Sequence, residues 1–202
     1  STITQVINYT MQDADGDTKA ATLTLVIKGT NDGASVDTAQ ATGPDATVYE
    51  HGLVAGDTET TTGSFTVTTT DGILNVVIGG TAFTYAQLTN AAYLAAHPVS
   101  TGEGVLTLTG YTGTAFGGTV NYSYTLSATI DNDSKVPAGK DTVDATGFND
   151  SVVLTVNGIG GTSGSDNLVI RAVDDTPTAY TNTNSVTEGG AVGGNVLTDG
   201  TD

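Results

Sequence analysis

The chain has no cysteine, so it can form no disulfide, no zinc–thiolate site and no thiol nucleophile. Basic residues are scarce: five Lys and Arg stand against 22 acids, a net charge of −17. Nucleic acids and anionic membrane surfaces are gripped by Lys and Arg neutralising phosphate, and this balance repels both. Histidine occurs only at 51 and 97, and no Ser, His and Asp pattern resembles a nucleophile elbow. Gly79-Gly80 and Gly117-Gly118 read as hairpin turns, since no Lys-Ser/Thr or helix start follows to make a phosphate cradle. The expectation is a chain that is not an enzyme. No run of about 18 apolar residues is present to span a bilayer. Ser1–Thr10 has neither a basic start nor an apolar stretch, so no signal peptide is visible.

What the chain does have is threonine, about a fifth of all residues, with valine, glycine and aspartate. Thr and Val are stiff at χ1 and fit a pleated surface, whereas Gly and Asp punctuate turns. Short alternating runs follow one another at Ser64–Thr70, Ile73–Ile78, Thr81–Tyr85, Val105–Thr109, Val120–Ile130, Ser151–Val156 and Asn167–Val173. Such spacing predicts an all-β sandwich of antiparallel sheets, each with one face wet. Ala86–Ala96 is Ala-rich, ends before Pro98 and predicts one helix of about three turns, with Leu88, Ala91, Ala92 and Ala95 on one face.

LVIKGTND at Leu25–Asp32 returns as LVIRAVDD at Leu168–Asp175, 143 positions later. Self-similarity at that period marks tandem modules. On this reading 1–32 holds the C-terminal strands of a preceding repeat and 33–175 is a complete repeat. Residues 176–202 then open the following one. Thr47–Gly52 and Ser185–Gly190 look like the same first strand in consecutive repeats. The terminal pieces are too small to bury a face alone, so they should pack on the whole module, on neighbouring chains, or stay loose.

Acidic residues gather at three places. Asp13, Asp15 and Asp17 alternate around Gly16, where a divalent cation would relieve their mutual repulsion; a plain hairpin tip is the competing reading. The segment is no EF-hand, because Gly falls at the fourth place and Thr24 stands where the closing Glu belongs. The stretch matching it in the second copy, Gly158–Asp166, lacks the triad. Asn31-Asp32 and Asp174-Asp175 lie where a last strand leaves a module, and Glu50 and Glu188 in the first strand of the next. Stacked modules would bring these groups together, with Ca²⁺ fixing the joint. Asp131 and Asp133, with Asp141, Asp144 and Asp150, fall in a long loop that a cation would order. Asp57 and Asp71 read as turn residues. Acidity that merely keeps a long polymer soluble is the plainer alternative.

Together the 143-residue spacing, Glu50-His51-Gly52-Leu53, Gly63–Val67, the DGI and IGG turns, Leu106–Tyr111 and Val120–Leu126 resemble the repeats of giant type I-secreted RTX adhesins, akin to cadherin-like and VCBS modules. The resemblance covers roughly 31–178 fully and both ends in part. It implies Ig-like β-sandwich extender modules in tandem on the bacterial cell surface, extracellular and monomeric, whose partners are the neighbouring repeats of the same polypeptide. They hold a distal ligand-binding region away from the cell for adhesion and biofilm formation. Family metal ligands carry over only to Asn31, Asp32, Glu50, Asp174, Asp175, Glu188 and the Asp13–Asp17 acids. Gly33 departs from the Thr176-Pro177 of the second junction, which implies a less rigid first linker. The family's GGxGxD nonapeptides and secretion signal are absent, as expected of a segment from within an array. The rival expectation is a glycan- or protein-binding module using loops such as Tyr111–Gly118 or Gly158–Asp166, with Tyr111 and Phe116 as its exposed aromatics.

Overall fold

The computed structural model describes residues 2–29, 33–56, 58–132, 134–135, 137, 141–175, 181 and 183–193. Two strands, β1 (Thr2–Gln12) and β2 (Thr18–Lys28), pair only with each other as an antiparallel ribbon. Eleven further strands make two sheets. The first has β3 (Ala34–Asp37) beside β5 (Thr60–Thr69), then β10 (Gly117–Leu126), β9 (Gly104–Thr114) and β8 (Val99–Ser100). The second runs from β4 (Ala46–Tyr49) through β13 (Ser163–Val173), β12 (Gly147–Gly158) and β6 (Ile73–Ile78) to β7 (Thr81–Thr84). β11 (Thr142–Asp144) also pairs with β12. The fold is all-β, and the sandwich expectation holds.

The alternation predicts the core well. Phe65 and Val67 of β5, Leu106 and Leu108 of β9, and Val120, Tyr122, Tyr124 and Leu126 of β10 all point inward. They meet Val152, Leu154 and Val156 of β12 and Leu168, Ile170 and Ala172 of β13. Burying each large apolar side chain contributes about 1.5–3 kcal/mol, and this shared core holds the sheets face to face. One pairing departs from the antiparallel expectation: β4 runs parallel to β13, Val48 opposite Ala172 and Tyr49 opposite Val173.

The predicted single helix is two short ones, α1 (Tyr85–Leu88) and α2 (Ala91–Ala96). Asn90 is the cause: its side chain accepts the Tyr93 N–H at 3.1 Å and starts a new helix instead of continuing the old one. Thr84 and Gln87 close a capping box on the first. Leu88 and Leu94 are the buried residues, while Ala91, Ala92 and Ala95 face solvent. Val120–Ile130 also stops early as a strand, at Leu126, although Ile130 is buried.

The expected strand at Thr47–Gly52 ends at Tyr49, and Glu50–Leu53 turns as a 3-10 helix. Its counterpart at Ser185–Gly190 is no strand; a turn falls at Glu188-Gly189. The reason is pairing: β4 exists by bonding along β13, and no strand lies beside 185–190 among the described residues.

The chain comes into the sandwich beside the start of β13 and leaves at its end. A Cβ on Gly164 would strike the Ala34 carbonyl oxygen at 2.2 Å, so β3 begins there. Asp174 follows Val173 at the other end. An eleven-residue strand spans roughly 35 Å at about 3.3 Å per residue, so the two points lie at opposite ends of the module.

Candidate metal centre

The parallel register of β4 and β13 brings a buried acid beside others, although the tightest acidic group among the described residues is Asp13, Asp15 and Asp17. With Tyr49 opposite Val173, the next residues along each strand, Glu50 and Asp174, emerge side by side. The 3-10 turn then folds Glu50 inward until it is 3 % exposed. Its Oε1 accepts the Ile130 N–H at 2.7 Å, which draws the start of the 131–135 segment to the same place. Burial pushes the Glu50 carboxyl above its usual range, and the negative charges of Asp174 and Asp175 push it further. Asp174 is within hydrogen-bonding reach of the Glu50 carboxyl and is itself half-buried, while Asp175 is exposed.

Two acidic charges acting on one desolvated carboxylate are costly unless a proton or a cation joins them. Two residues beyond Ile130, both side-chain amide atoms of Asn132 are buried without a hydrogen-bond partner. An amide oxygen is a hard-cation ligand, so Asn132 is of the right type to join Glu50 and Asp174 in holding Ca²⁺. Asp131 accepts the Ser134 N–H and hydroxyl at 3.3 and 2.6 Å, a local turn that leaves the aspartate exposed.

This grouping corrects the predicted one. Glu50 was expected to meet the acids of the preceding junction, yet it sits at the far end of its own module beside Asp174 and Asp175. The sequence pattern cannot reveal this, because a parallel pairing between residues 46–49 and 170–173 leaves no trace in local periodicity. Glu188 is exposed and joins no such cluster among the described residues. Asn31, Asp32 and Asp133 lie outside the described residues.

The Asp13–Asp17 triad caps the β1–β2 ribbon. Ligand oxygens of Asp13, Asp15 and Asp17 lie within 4.8 Å of one another, all exposed. Asp13 Oδ1 accepts the Asp17 N–H at 2.8 Å, and Gly16 takes the positive φ of +102° that the turn needs. A hydrogen bond with the Asp15 side chain holds the Asp13 carboxyl below its usual range. The hairpin-tip reading holds, and the same loop keeps the three carboxylates close enough to share an ion.

The predicted long acidic loop is shorter than expected, since β11 and the start of β12 lie inside it. Asp144 sits on β11, where Arg171, at 2.6 Å, holds its carboxyl well below the ordinary range. Asp150 is no loop residue: it lies in β12, 4 % exposed, and accepts the Tyr124 hydroxyl at 2.7 Å and the Thr101 hydroxyl. The signal for this was in the sequence, as Asp150 shares the phase of Val152, Leu154 and Val156. Of the aromatics proposed for ligand recognition, Tyr111 packs edge-on against Tyr85 at 6.0 Å and donates to the Thr114 carbonyl oxygen. Phe116 is the exposed one.

Compared with known proteins, the chain matches no family model, no curated protein and no solved structure.

Proposed function

We propose that this chain is a Ca²⁺-stabilised extender segment of a large bacterial surface adhesin, extracellular and non-catalytic. It holds a distal ligand-binding region away from the cell for adhesion and biofilm formation. The observation that carries the reading is the buried Glu50 carboxyl, with Asp174 in hydrogen-bonding reach and the Asp175 charge acting on it, where the chain leaves the module. Ca²⁺ held by these acids and Asn132 would neutralise their repulsion and tie the departing segment to the sandwich, stiffening the joint with the next repeat. Attachment points at opposite ends of β13 favour the same role, because each module then adds its full length to a string.

Thermal unfolding of the chain with millimolar Ca²⁺ and with EGTA tests this. Ca²⁺ should raise the midpoint, by an amount equivalent to about 2.7 kcal/mol at a hundredfold excess over Kd. Glu50→Gln should abolish most of that rise. A midpoint indifferent to Ca²⁺ overturns the reading.

A further inference from the structure

The sandwich keeps its open sheet edges short. β3 and β8 bound the first sheet, β4 and β7 the second, and none is longer than four residues. Short edges deny another chain a template for strand pairing. The ribbon does the reverse. β1 runs eleven residues from Thr2 to Gln12 in unbroken register with β2, and no described strand reaches its other side. That open edge is about 35 Å long at about 3.3 Å per residue. None of the devices that blunt an edge is on it: no charged residue, no proline and no bulge. β2 differs, since Lys19 and Lys28 stand at its two ends. In the sandwich hairpin, the matching edge of β12 is taken by β11 and β6.

The sequence of β1 is also complementary to itself. Laid antiparallel at full overlap, two copies place Ile7 against Ile7 on a twofold axis, Ile3 against Met11 and Gln5 against Tyr9. Residues directly opposite in an antiparallel pair share a face, so the apolar face of one ribbon continues into the other. All eleven residues pair, with about ten hydrogen bonds, as many as a typical protein interface carries. Charge agrees with this register. Gln12 falls opposite Thr2, and Thr2 pairs with Lys28, so the acidic tip of each copy comes to the end of the other that carries Lys28. The two tips lie at opposite ends of the joint, which limits repulsion between chains of charge −17.

We propose that the open edge of β1 is an interface between two copies of this chain, paired antiparallel about Ile7 into a four-stranded sheet in the order β2, β1, β1, β2. The lysines at the ends of β2 keep the sheet from growing further. A joint one strand wide is small for a protein contact, so the dimer exchanges reversibly with monomer. This departs from the monomer that the family resemblance implies. The joint does not rest on the extender reading and goes beyond it: two strings would be tied side by side.

Sedimentation velocity of the chain over a dilution series in EGTA, where no metal joint contributes, tests the proposal; a monomer–dimer equilibrium is expected. Cysteine variants read the geometry, because the chain has no thiol of its own. Ile7→Cys puts two thiols on the axis, where paired Cα atoms lie about 4.5–5.5 Å apart, within disulfide reach. Leu25→Cys shares the face but stands three strand spacings from its mate, at least about 14 Å away and out of reach. Disulfide dimer should therefore form at least tenfold faster in Ile7→Cys. Val6→Glu combined with Asn8→Glu sets like charges opposite each other across the joint. That variant should weaken the dimer at least tenfold and leave the thermal unfolding of the sandwich unchanged. A chain that stays monomeric up to millimolar concentration overturns the proposal. A Leu25→Cys disulfide as fast as that of Ile7→Cys also overturns it, since ribbons would then meet face to face. Species larger than a dimer do the same, because β2 would then be pairing as well.

Discussion

The β1–β2 ribbon and the β12–β13 pair are the same hairpin in two circumstances. Gln5 faces Leu25 as Val152 faces Leu168, and Ile7 faces Leu23 as Leu154 faces Asp166. The register is identical, and so is the phase of the apolar face. Burial is not: Leu168 is 0 % exposed and its counterpart Leu25 is 43 % exposed. The ribbon carries Ile3, Ile7, Tyr9, Leu23, Leu25 and Ile27 along one face that no other strand of the described residues covers, whereas the other pair has a whole sheet against it. Sequence alone builds the hairpin; the opposing sheet is what turns it into core. The tips differ as well. Eleven residues separate Tyr9 from Ala21 and seven separate Val156 from Gly164, so the aspartate triad sits on a four-residue extension that the sandwich hairpin lacks.

The largest test of this comparison is a matched pair of truncations. Leu168→Ala should cost about 2–5 kcal/mol in urea unfolding, because it leaves a cavity in the packed core. Leu25→Ala should change the same transition by no more than about 0.5 kcal/mol. Equal costs would mean that the ribbon's apolar face is covered in solution.

A smaller effect concerns pH, and the two hairpins should respond with opposite sign. In the sandwich, burial raises Glu50 and Asp150 above their unfolded carboxylate values. Protonation of such groups favours the folded state, so their stabilisation is complete below the unfolded pKa of about 4 and disappears as pH rises through the folded value. Calcium-free protein should therefore melt at a higher temperature near pH 5 than at pH 7.5. In the ribbon, Asp13 is lowered, so what it contributes is present above the unfolded pKa and is lost as pH falls. Amide exchange at Asp17, whose N–H it accepts, should accelerate as the medium turns acid. A melting temperature independent of pH between 5 and 7.5 would contradict the burial of Glu50 and Asp150.

The smallest expected effect is at the ribbon's tip. Converting Asp13, Asp15 and Asp17 together to Asn should leave any Ca²⁺-dependent rise in melting temperature unchanged, since the proposed function assigns that rise to the joint beside Glu50. If the rise vanished, the tip would be the principal site and the comparison would invert.

Much of the fold was legible because alternation is a local record of which side faces inward. Phe65, Val67, Leu106, Leu108 and the Val120–Leu126 run all follow it. The helix was legible in composition but not in its break, which depends on a single amide at Asn90 starting a second cap. Glu50 was legible as an acid of interest and illegible in its company, because strand β4 finds β13 from more than a hundred residues away. Asp150 was readable and misread: loop acids surrounded it in sequence, yet it already carried the beat of the buried valines that follow. Periodicity reports the face of a strand, and contact order decides its neighbour.

The parallel pairing of β4 with β13 has a mechanical consequence. Tension that reaches β4 through β3 at the entry, and β13 at the exit, pulls these two strands in opposite directions along their common axis. The four pairs from Ala46–Ile170 to Tyr49–Val173 then carry the load together, in shear, and must fail at once. An antiparallel partner attached at the same two points would have been peeled open one pair at a time. The sheet edge that gathers the acids is thus also the edge on which a pulled module would hold.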